Sequence, residues 1–106
     1  MKMRVTRTKE ELYSLCSDTM DVYQERFDLM IEDEFTEYDA FVKFIDLSNK
    51  LSDDLHEVVN NFKPDISSLL DLKYFSYLKL LTGLEHLSLF HKRNSDAISS
   101  KFKKDS

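Results

Sequence analysis

Three histidines, one cysteine and a long run of carboxylates are the side chains here with the types and spacing to do chemistry. Asp53 and His56 stand three apart, the offset at which helical di-iron bundles present a carboxylate and an imidazole to one metal. Such a centre draws a pair from each of two helices and adds further inward carboxylates, and the sequence holds no second ExxH or DxxH. Glu85 and His86 are adjacent, so on a helix they point to different parts of the circumference. His91 falls where a helix would end, a place that suits a cation. Cys16 has no CxxC partner and sits at an apolar spacing, where a free thiol acts as a small hydrophobe. A nucleophile needs an activating base, and no motif sets one beside it. There is also no Gly-rich phosphate loop and no GxSxG turn. These residues assign no catalytic group, no cofactor and no metal, and the chain reads as non-enzymatic.

The carboxylates carry a different message. Asp18, Asp21, Glu25, Asp28 and Glu32 recur at spacings of three, four, three and four, so a helix lines them along one side. Asp33, Glu34 and Glu37 extend the acid into the next connection, and Tyr38 adds an amphipathic ring beside it. Like charges at these spacings repel by a few tenths of a kcal/mol per pair, and only Arg26 is interspersed. The chain as a whole is divided: residues 10 to 90 hold 18 acids against 6 bases, while residues 1 to 9 and 91 to 106 are both basic, for a net charge of −5. A solvated face and a docking surface for a basic protein both fit this pattern, and the second would give a salt-sensitive complex. Nucleic acid is a poor candidate partner, because so acidic a body repels phosphate.

The elements that must position these residues follow from composition and period. One Gly and one Pro in 106 residues cannot build the turns of an antiparallel β fold, so the class is all-α. Thr8 and Glu11 match a capping box, after which Leu12, Cys16, Met20, Tyr23, Phe27 and Met30 form one stripe; this predicts a helix over 8–32. A second helix over 36–62 carries Phe41, Phe44, Ser48, Leu51, Leu55, Val58 and Phe62 in unbroken phase, although Ser52 offers a cap at which it could split. Pro64 stops it, and Asp65 is placed to cap a third helix over 65–92. That helix is apolar on more than one face, as in a central helix or one shared with a second chain. Gly83 lies inside it, at a cost that a close neighbouring backbone would offset.

The expected architecture is an antiparallel bundle of three long helices with a short polar C-terminal tail or fourth short helix. It forms one domain over 1–106, with 1–7 and 94–106 as flexible ends. No run approaches the roughly 20 apolar residues of a membrane span, and the start lacks a signal-peptide core, so the expected setting is cytoplasmic. The functional expectation is an acidic helical regulator or inhibitor of a basic partner, a description of size and charge that immunity proteins, antitoxins and secretion chaperones share. The alternative is a structural adaptor or homodimer that packs through Tyr74, Tyr77, Leu81, Leu84 and Leu87 of the third helix.

Overall fold

The computed structural model describes residues 4–33 and 36–103. It is an all-α bundle of three helices, α1 (Lys9–Ile31), α2 (Glu37–Asn60) and α3 (Leu69–Phe102). Each opens on a hydroxyl cap. Thr8 and Glu11 form the reciprocal capping box on α1, Thr36 accepts from the Asp39 N–H at 3.1 Å, and Ser68 accepts from the Asp71 N–H at 3.1 Å. The backbone N–H groups of Arg7 and then Thr8 hold the Glu11 carboxyl below the usual carboxylate range.

Side-chain contacts give the course of the chain. Phe27 meets Phe44 and Tyr23 meets Asp54, so α1 and α2 are antiparallel. Phe44 stacks on Phe90 while Phe62 meets Phe75, so α2 and α3 are antiparallel as well. Tyr13 lies against His86 and Gln24 against Asn94, so α1 and α3 run parallel. The core between them consists chiefly of Leu12, Cys16, Met20, Tyr23 and Phe27 from α1, Ala40, Phe44, Leu51, Leu55 and Val58 from α2, and Phe90 and Ile98 from α3. The second helix does not split at Ser52, since its buried stripe passes through Leu51 and Leu55 without a change of phase.

Three sequence expectations are corrected. The third helix starts at Leu69 rather than after Asp65, because Ser68 caps the Asp71 N–H at 3.1 Å and Ser67 donates to the Asp71 carboxylate at 2.8 Å, which fixes the first turn there. It then runs ten residues past Lys92, so the segment expected as a polar tail or fourth short helix continues α3. Buried Asn94 exchanges two amide hydrogen bonds with Gln24, of 2.7 and 2.9 Å, and Ile98 is fully buried. The Lys101 ammonium donates to the carbonyls of Ile31 and Asp33, supplying partners to the open C-terminal end of α1. At the other end, Thr6 is fully buried and forms an isolated parallel bridge with Phe62, through Thr6 N–H to Asn61 O at 3.1 Å and Lys63 N–H to Thr6 O at 2.8 Å. Neither described end is free of the bundle. Finally, Gly83 meets no neighbouring backbone: a Cβ there would find the Val59 Cγ1 methyl at 3.4 Å, an ordinary contact.

The molecule is elongated, 59 × 30 × 18 Å with a radius of gyration of 16.5 Å, against about 13 Å for a compact chain of this length. At about 1.5 Å per residue α3 is some 15 Å longer than either neighbour, and it overhangs them at its N-terminal end. No residue from 63 to 81 is buried. Among the described residues no helix is long and apolar enough to cross a membrane.

Candidate functional site

The outer face of α1 carries the candidate site. Its buried stripe is Leu12, Cys16, Met20, Tyr23 and Phe27, and at about 100° per residue Asp18, Asp21, Glu25, Asp28 and Glu32 centre on the opposite side of the helix. All five are exposed. None of them forms an ion pair with a described residue; Asp28 accepts a hydrogen bond from the Gln24 amide at 2.9 Å. Arg26, the one interspersed cation, is turned about 120° away from the stripe, with its guanidinium 4.8 Å from the Tyr23 ring centroid. Asp33, Glu37 and Tyr38 are exposed at the α1–α2 connection, at the C-terminal end of the stripe, and Tyr38 is 76% accessible. Glu34 lies outside the described residues. The nearest cation of the C-terminal segment, Lys101, is occupied by backbone carbonyls at this end of α1.

Two residues of this face escape sequence reasoning. Val22 and Leu29 are 49% and 66% accessible and lie seven residues apart, directly beside Asp18 and Glu25 on the outer surface. In the sequence they look like further core residues, and only the phase of the buried stripe separates them from it. The face is thus mixed, with carboxylates along one side of the apolar pair and Arg26 on the other.

The histidines and the cysteine take structural places. His86 is 3% accessible, packs edge-on to Tyr13 with ring centroids 4.7 Å apart, and places Nδ1 2.8 Å from the Thr82 carbonyl, to which it donates. His91 is exposed and edges the Phe44 ring. His56 and Asp53 are exposed. Among the described residues no three His, Cys, Asp or Glu side chains converge as a metal site would require. Burial excludes Cys16 from solvent and pushes its thiol up to about 11, far from the reactive thiolate. The grooves between helices are open rather than enclosed. One of about 580 Å³ lies between α1 and α3 and is lined by Tyr13, Ser17, Asp18, Leu81 and Glu85 among others.

The residues expected at an oligomer or partner-helix surface divide. Tyr74, Tyr77, Leu81 and Leu84 are exposed on one face of α3, while Leu87 packs against the core beside Leu55 and Val59 in the α2–α3 groove. Leu70, 76% accessible, completes the exposed set. No protein-family model, curated protein or solved structure matches the chain.

Proposed function

We propose that this protein is a non-enzymatic interaction module, an acidic regulator or inhibitor that docks the outer face of α1 onto a basic partner protein. The observation that carries the reading is the placement of five carboxylates along one side of exposed Val22 and Leu29, none of them in an ion pair with a described residue. The carboxylates steer a basic surface toward α1 and set its orientation, and the apolar pair supplies contact once water is expelled. Phosphate backbones are repelled by the same field. The lone buried thiol fits a reducing compartment such as the cytoplasm.

The test is a comparison of wild-type chain with the combined substitution Asp21→Lys, Glu25→Lys and Asp28→Lys as bait for basic proteins from source lysate. All three positions are exposed, and the reversals remove like-charge neighbours, so thermal stability is expected to stay level or rise slightly. The wild type is expected to hold a stoichiometric basic protein at low salt and release it near 0.5 M salt, with affinity for it falling at least about tenfold in the variant. A partner retained equally by both chains, or indifferent to salt, contradicts the reading.

A further inference from the structure

The third helix presents its stripes to the opposite environments from those their chemistry suggests. Its buried positions are Thr82, His86, Phe90, Asn94 and Ile98, three of them polar. Its exposed face carries Leu70, Tyr74, Tyr77, Leu81 and Leu84, with accessibilities of 76, 48, 64, 39 and 54%. These five follow one another at spacings of four, three, four and three, a mean period of 3.5, which keeps a stripe turned toward a second helix lying alongside. Leu81 edges the groove against α1 and Leu84 the groove against α2, yet all five keep more than a third of their surface accessible. No charge falls within the stripe. Together these side chains expose on the order of 600 Å² and Leu80 extends the patch, which approaches the roughly 800 Å² that each partner contributes to a standard interface. The patch stands at the top of the range of about 300–600 Å² found for the largest apolar patch of a typical monomer, and such patches often serve a function.

We propose that the stripe is covered by the same stripe of a second copy, the two α3 helices pairing antiparallel about a two-fold axis. The order of residue types is what favours a second copy. In an antiparallel pair of heptad stripes each position of one type faces the other type, and an axis between residues 75 and 76 sets Leu70 opposite Leu81 of the partner subunit and Tyr74 opposite Tyr77 of the partner subunit. Aliphatic Leu70–Leu81 layers then close both ends of an aromatic centre without a foreign sequence, while Leu84 extends past the start of the partner helix. Charge selects the direction. A parallel pair would bring two acidic α1 helices to the same end, whereas the antiparallel pair sends the bodies apart, with the N-terminal halves of α3 meeting in the middle. Because the stripe is neutral, added salt screens the repulsion between bodies and leaves the contact in place. The pairing does not depend on what the α1 face binds.

Sedimentation of the full chain over a concentration series tests it. The expected result is a dimer, twice 12.6 kDa, with a Kd in the micromolar range that is unchanged or tighter at high salt. Tyr77→Glu places a charge at the centre of the pair on a residue 64% accessible in the monomer, so helix content should persist while Kd rises by about 30-fold or more. Direction is read by mild oxidation of Leu70→Cys and Leu81→Cys chains. Antiparallel pairing cross-links a mixture of the two and neither alone, and buried Cys16 stays silent. A chain that is monomeric throughout, a dimer that ignores Tyr77→Glu, or cross-links formed within each single variant would overturn the proposal.

Discussion

Single polar residues fix how the helices are aligned. The Tyr23 hydroxyl donates to the Asp54 carboxylate at 2.6 Å and ties α1 to α2, while the Gln24–Asn94 amide pair ties α1 to α3. Burial, followed by the Asp54 hydrogen bond and charge, raises the Tyr23 phenol above its ordinary 10.0. The raised folded value means that this group stabilises the fold fully below about pH 10, and that the contribution is lost as pH climbs through the folded value. Tyr23→Phe is therefore expected to cost about 1 kcal/mol near pH 7 in urea unfolding and to flatten the alkaline limb of the stability curve. An unchanged midpoint at pH 7 together with an unchanged alkaline limb would show that the hydroxyl contributes nothing. Not every buried polar atom is satisfied: the hydroxyls of Thr6 and Ser48 have no protein partner, and Ser48 lies beside the α2–α3 groove.

The three helices differ in how openly their sequences declare them. In α1 and α2 the buried residues are the apolar ones at three and four spacing, so phase, caps and the unbroken passage through Ser52 are all legible. In α3 the buried stripe steps by four through Thr, His, Phe, Asn and Ile, and no hydropathy pattern distinguishes it from a solvated face. Its visible apolar stripe is the exposed one. The same inversion hid the last turns: NSDAISSKF reads as a polar tail because the residues that seat it are an amide, one isoleucine and a lysine reaching two carbonyls. The acidic stripe on α1 was legible from spacing alone, whereas Val22 and Leu29 needed the helix to be placed in the bundle. Gly83 gives a prediction at this scale. It lies in continuous helix at negative φ, with only the Val59 methyl at 3.4 Å from a new Cβ, so Gly83→Ala should stabilise by about 0.5–1 kcal/mol through helix propensity. A loss of stability in thermal or urea unfolding would mean that Val59 cannot shift.

The whole molecule is a thin, elongated particle with two unlike surfaces, an acidic one on α1 and a neutral apolar one on the N-terminal half of α3. The second depends on how α3 is rotated in the bundle, because the turn that buries Thr82 and Asn94 is the turn that exposes Leu84. The most direct measurement is the rate of thiol labelling of Thr82→Cys and Leu84→Cys chains, at sub-micromolar concentration, below the Kd expected for the proposed α3 pairing. Cys16, fully buried with its thiol pushed up to about 11, serves as the protected reference in each. Residue 82 is 5% accessible and residue 84 is 54% accessible, so the thiol at 84 should react within about tenfold of the unfolded chain, and the thiol at 82 at least about a hundredfold more slowly. Fast labelling at 82 with protection at 84 would mean that α3 packs by its apolar stripe, and would contradict the fold of this helix and the surface derived from it.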